Sequence, residues 1–185
     1  DPLDALDRFR KAYIQQTYAT APTAAEVTAE SRNVMDRFLP GEAVPEILAH
    51  PWCRMNFLAV RCRHMTDRED KPRMAMGLAG AVTANLIGRR YLSLFFERTL
   101  FHDPRTLPPL SDRDTMPFNR SVLNSRNFKD ALLASGSIPL VMSGVSTIAG
   151  AGPAGPGAIR CAYVGDYGVL AGFALTNGHT DAEQD

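Results

Sequence analysis

Cysteine is scarce in this chain of 185 residues: there are three, Cys53, Cys62 and Cys161. So small and odd a set builds no disulfide framework, which points to a reducing compartment. An excess of charge of one sign is missing too. Lys plus Arg and Asp plus Glu both number 20, so the net charge is zero. No global field then draws in nucleic acid or an anionic surface. Basic residues gather only locally, in "RCRH" and "GRRY", and both read as solvated faces. Long apolar runs are also absent. The longest weakly polar stretch, "MAMGLAGAVTANLI" at 74–87, is short of the about 20 residues that a membrane-crossing helix needs. No signal-peptide pattern is visible, but the sequence begins at Asp1 rather than Met, so this carries no weight on targeting. A cytoplasmic or peripheral-membrane protein is expected, with no transmembrane segment and no nucleic-acid partner. No internal repeat and no long Pro/Gly/Ser linker divides the chain, so residues 1–185 read as one domain.

What is present alternates between helix and strand signals. "DPLDALDRFRKAYIQQTY" sets Leu3, Leu6, Phe9, Tyr13 and Ile14 at helical spacing, predicting a helix with one buried stripe. "TAAEVTAESRNVMDRFL" opens on a capping box, with Thr23 at the N-cap and Glu26 reaching back. Val27, Val34, Met35 and Phe38 form its apolar face, and Pro40 and Gly41 end it. "PEILAH" predicts a short helical piece. "RMNFLAVRCRH" reads as a strand, with Val60 and Cys62 alternating against Arg61 and Arg63. A polar loop leads to a small-residue helix over 74–89, expected to lie on a sheet. "YLSLFFERTLFHD" predicts a second strand, bent at Glu97-Arg98. A Pro-rich connection comes next. Ser125 is placed to cap a helix through "RNFKDALLASG", with Gly136 at its end. "SIPLVMSGVSTIA" predicts a strand with Pro139 near its start. "GAGPAGPGA" is a loop, and residues 161–185 form a divergent, poorly ordered tail. The alternation implies an α/β sandwich around a mostly parallel sheet.

Two residue sets bear on chemistry. "HPWCRMNFLAVRCRH" supplies His50, Cys53, Cys62 and His64, donor types that suit zinc. The second pair, however, sits on alternate residues of a strand. A buried Cys62 beside an exposed His64 is the competing reading, and no metal or other cofactor is assigned. Ser135 and Ser137 flank the helix-to-strand turn, where their hydroxyls would satisfy backbone groups. His102 and His179 have no partner in sequence.

The segment "NFKDALLASGSIPLVMSGV", then "GAGPAGPGAIR", resembles the late region of the patatin-like phospholipase family. "FLAVRCRH" and "YLSLFFERTLFHD" occur in the matching order. Ala131, Ala134, Ser135 and Pro139 fit the family's A-x-x-A-S-x-x-x-P pattern. The resemblance implies a three-layer patatin-like sandwich. It also implies hydrolysis of acyl esters in lipids by a Ser-Asp dyad, with a lipid acyl ester as substrate, met at a membrane surface. The serine of such a dyad sits in a G-x-S-x-G elbow, and no such sequence occurs here. The nucleophile is therefore expected outside these residues, the sheet incomplete on its N-terminal side, and the chain inactive and prone to self-association alone. Where the family carries D-G-G or D-G-A, this chain has Cys161 and Ala162. The nearest carboxylate is Asp166, in "GDYG", read either as the displaced catalytic base or as a turn residue beside Gly165. The alternative to a fragment of an acyl hydrolase is a non-catalytic descendant of the same fold that binds lipid or protein.

Overall fold

The computed structural model describes residues 2–67, 70–106, 118–151 and 159–160. Helix α1, Pro2–Ile14, leads to α2, Ala24–Phe38, and α3, Ala43–Ala49. Strand β1 spans Asn56–Cys62, and α4, Lys71–Ile87, comes after a 3₁₀ turn at His64–Asp67. A second 3₁₀ segment, Arg89–Leu94, precedes β2, Phe96–His102. Then come β3, Phe118–Val122, α5, Phe128–Gly136, and the two-residue β4, Ile159–Arg160. The strands form one sheet in the order β3-β2-β1-β4, and the chain is α/β.

The sheet is mixed rather than mostly parallel. β1 is antiparallel to both β2 and β4, and only β2 and β3 run parallel. The physical reason lies between β1 and β2. Cys62, the last residue of β1, pairs with Phe96, the first of β2. The chain thus leaves and re-enters the sheet at the same end. The intervening helix is an insert in a hairpin, not a crossover, and a strand-helix-strand pattern alone does not separate the two. The neck of the insert is tied by Arg63 N–H donating to the Phe95 carbonyl at 2.8 Å. The buried Thr66 hydroxyl donates to the Arg63 carbonyl at 2.7 Å. Consequently α4 packs on the two 3₁₀ segments instead of on the sheet. Gly80 faces the Phe95 ring, 3.4 Å from where a Cβ would stand, an ordinary van der Waals contact. Among the described residues, β4 covers only Val60 and Arg61 on the outer side of β1.

The main core lies on one face of this sheet. Strand alternation puts Phe57, Ala59 and Phe101 on the same side. There they meet Phe128, Ala131 and Ala134 of α5, with Met35, Leu39 and Val44 completing the cluster. Phe57 and Phe128 cross edge-to-face at 5.1 Å. The predicted apolar face of α2 holds: Val34 and Met35 are buried, and Val27 and Phe38 pack against the core.

The predicted strand over 137–149 is instead an irregular segment. Its buried apolar residues, Met142, Val145 and Ile148, and Ala151 beyond them, recur every third position rather than every second. Pro139 offers no N–H to a ladder, and Leu140 sits at φ 69°. The backbone finds partners on α2: Ser143 N–H donates to the Thr28 hydroxyl at 2.8 Å. "YLSL" is likewise 3₁₀, so β2 begins at Phe96 with no separate bent half.

Helix α1 forms as its spacing predicts, but its stripe is not buried. Phe9 crosses Phe38 of α2 at 5.1 Å and Ala12 is buried, while Leu3, Leu6, Tyr13 and Ile14 remain exposed. Of the stripe, Phe9 makes the ring contact with α2. At the start of α2, Thr23 caps as expected, accepting from Glu26 N–H at 3.2 Å. Glu26 does not close the box on Thr23; its carboxylate accepts from Ala19 N–H at 2.8 Å. Thr23→Ala is expected to lower stability by about 1 kcal/mol, read as a shift in urea midpoint at constant slope.

Candidate functional site

Four of the buried polar residues, His102, Asp103, Ser121 and Asn127, lie at the end of the sheet where β2 and β3 finish and α5 begins. Asn127 is fully buried and joins three segments. Its side-chain amide donates to the Val122 carbonyl at 2.9 Å and the Ala149 carbonyl at 3.0 Å. Its carbonyl oxygen accepts from Asn124 N–H at 2.8 Å. Asn127, not Ser125, is the N-cap of α5, and Asn124 closes the turn before it, accepting from Arg126 N–H at 2.9 Å. Gly150, at φ +79°, passes close to Ser121: a Cβ there would lie 3.2 Å from the Ser121 hydroxyl. This knot fixes the loop after the A-x-x-A-S segment against the end of β3.

Of the serines of that segment, Ser137 serves the backbone. Ser137, buried just past the end of α5, donates to the Leu133 carbonyl at 2.8 Å. Ser135 is buried on the same helix. Neither has an imidazole or carboxylate among its described hydrogen bonds, so neither hydroxyl is activated there.

A second cluster sits at the exit of β2. The Asp103 carboxylate is buried and accepts from the Arg105 Nε at 2.9 Å and Nη2 at 2.7 Å. The Arg105 guanidinium also donates to the carbonyls of Leu48 and His50, at the C-terminal end of α3. Hydrogen bonds from Arg105 hold the Asp103 carboxyl below its ordinary pKa, and Asp103 in turn raises that of Arg105. The adjoining His102 ring places Nδ1 3.0 Å from the Asp103 carbonyl and 3.1 Å from that of Thr106. Both partners are acceptors, so Nδ1 is the donor. The other deeply buried carboxylate, Glu97, pairs with Arg63. Both are neutralised by arginine, an arrangement suited to structure rather than to a general base.

The four residues with metal-ligand chemistry do not converge. His50 Nδ1 accepts from Cys53 N–H at 3.0 Å and Trp52 N–H at 3.3 Å, closing the turn before β1. Cys62 is buried at the far end of β1, and His64 is exposed beyond it. A seven-residue strand separates the pairs by about 20 Å. Among the described residues no group of three His, Cys, Asp or Glu side chains is placed to hold a metal ion.

Asp166, Cys161 and Ala162 lie outside the described residues, as do His179 and the tail over 161–185. Sequence reasoning missed the Asn124–Asn127 turn and the Asp103–Arg105 pair. The signals that could have found them are "NSRN", two asparagines flanking a helix start, and "DPR", an Asp-Pro turn with a cation two residues on. No family model, curated protein or solved structure matches this chain.

Proposed function

We propose that this chain forms one flank of a patatin-like lipid acyl hydrolase domain and that the attacking serine lies outside these 185 residues. In this reading a serine hydroxyl adds to the ester carbonyl, a carboxylate takes its proton, and the alcohol leaves with that proton. Water then releases the fatty acid from the acyl-enzyme. Asp166 is the carboxylate nearest to the position where the resemblance expects the base. The observation that supports the reading best is the packing of α5. Ala131 and Ala134, both of the A-x-x-A-S pattern, have no exposed surface and pack with Phe57 and Ala59 of β1. A larger side chain at either would push the helix off the sheet.

The three-layer sandwich and the lipid substrate belong to the same proposal. The second reading, a non-catalytic binder of lipid or protein, is favoured by the arginine partners of Glu97 and Asp103. Short-chain ester hydrolysis by this chain, and by the longest open reading frame that contains it, separates the two. The acyl-hydrolase reading expects no turnover above background from the chain and turnover from the longer protein. Inactivity of both supports the binder, and turnover by the chain alone contradicts the placement of the nucleophile.

A further inference from the structure

The turn before β1 is built on His50. This residue ends α3, its own N–H donating to the Ile47 carbonyl at 3.2 Å. Its ring Nδ1 accepts from the N–H of Cys53 at 3.0 Å and of Trp52 at 3.3 Å. Its carbonyl accepts from Arg54 Nη1 at 2.8 Å and from Arg105 Nη1 at 2.9 Å. Arg54 closes the same turn from the other side, donating to the carbonyls of Cys53 at 3.1 Å and Pro51 at 2.9 Å. Backbone N–H groups only donate, so Nδ1 is the bare nitrogen of the neutral ring and Nε2 carries its proton. A second proton can enter only at Nδ1. There it would turn the acceptor into a donor that faces two donors, and neither bond survives.

We infer that His50 is a proton-operated latch: the neutral ring holds the turn over 50–53 closed, and a proton on Nδ1 releases the N–H groups of Trp52 and Cys53. The closed turn has no place for that proton, whereas the open turn and the unfolded chain do. The latch therefore contributes at neutral pH and is lost as pH falls. The charges around it agree with this sign. Arg54 and Arg105 both reach the His50 carbonyl, so an imidazolium would share the turn with two guanidinium groups. The Asp103 carboxylate beyond them is already taken up by Arg105. The adjoining His102 ring turns its Nδ1 to the carbonyls of Asp103 and Thr106. Two groups favour a cation: Glu46, one turn back on α3, and the last carbonyls of that helix. Of those carbonyls, Leu48 and His50 already accept from Arg105. The Cys53 thiol is half-buried in the same turn. Opening frees the chain around Trp52, the single tryptophan of the sequence, whose side chain is 77% exposed. It also loosens a carbonyl through which Arg105 ties the exit of β2 to α3, so an event at an exposed ring reaches the buried Asp103 pair. None of this depends on the acyl-hydrolase reading.

The test is NMR of the isotope-labelled full chain between about pH 8 and about pH 5, the range in which imidazole takes up its proton. Ring nitrogen shifts should show Nδ1 bare and Nε2 protonated at the upper end. Protection of the Trp52 and Cys53 amides, corrected for the intrinsic pH dependence of exchange, should fall by about tenfold or more as the ring titrates. His50→Asn should hold that protection at both ends of the range. An Asn side chain accepts from a backbone N–H two residues on, and it does not titrate. His50→Ala should leave both amides unprotected throughout. His64→Asn, at an exposed histidine with φ 54°, should respond as the parent does. His50 is itself exposed, so the two asparagine variants should melt with the parent at neutral pH, and the ring shifts need no variant at all. A proton on Nδ1 at the upper end, protection that does not change as the ring titrates, or an undiminished pH response in His50→Asn would each overturn the inference.

Discussion

Replacing Asn127 by alanine is expected to lower the unfolding free energy by about 2–3 kcal/mol. The side chain has no exposed surface, so water cannot take its place. Its removal strands the Ala149 carbonyl and the Asn124 N–H, whose bonds to Asn127 are 3.0 and 2.8 Å. The Val122 carbonyl suffers less, because it also accepts from the Asn124 side chain at 3.3 Å. Both groups sit on exposed residues, so each loss lies at the low end of the about 1–3 kcal/mol for a buried donor or acceptor left unmade, and a small void adds to it. The measurement is urea denaturation, with a lower midpoint at unchanged slope. Asn127→Asp is the informative companion. It keeps the acceptor for Asn124 N–H but turns the amide nitrogen into an oxygen facing two carbonyls. It should be at least as damaging at neutral pH and should recover in part on acidification, when the carboxyl can donate one bond again. A loss under about 1 kcal/mol for Asn127→Ala would mean that the 148–151 loop is not held through this residue.

The second large effect is at Asp103. Asp103→Ala is expected to cost about 2–3 kcal/mol, less than the full penalty for breaking a buried pair. The discount is for Arg105, whose side chain is 33% exposed and can rehydrate. The pair also carries a pH signature. The folded-state pKa of Asp103 is lowered, first by its hydrogen bond from Arg105. A depressed pKa means that the unfolded chain takes up the proton first as pH falls. The contribution is therefore fully present above the ordinary carboxylate range and is lost as pH drops through the lower folded value. Parent and Asp103→Asn should differ most at neutral pH and converge in acid, below about pH 4. A gap that is constant across this range would contradict the assignment.

How much of this is legible in the sequence depends on how local the signal is. Helices α1 to α3, β1 and α5 are given by apolar spacing and stop signals, and Thr23 caps as its neighbours imply. Strand direction is not legible, because the same "strand, helix, strand" order serves a crossover and a hairpin with a helical insert. The pairing of Cys62 with Phe96 decides it. The 138–151 segment has a strand's composition, yet its backbone is partnered by α2, and only the tertiary fold supplies that partner. Burial of the α1 stripe is out of reach for the same reason. Its period is helical, but α2 offers only Phe38 and neighbouring surface to cover it. At the site, the expected structural role of the serines holds for Ser137, which bonds to Leu133 one turn back. Asn127 gives no comparable local signal, because its partners Val122 and Ala149 are brought to it by β3 and a distant loop.

The central proposal is that these residues flank an ester-cleaving site without holding its nucleophile. Treatment of the folded chain with a fluorophosphonate, followed by peptide mass spectrometry, tests it most directly, because only an activated serine reacts. The account predicts no adduct on Ser135, Ser137, Ser143, Ser146 or any other serine of the chain. A stoichiometric adduct on any one of them, abolished by its change to alanine, would contradict it.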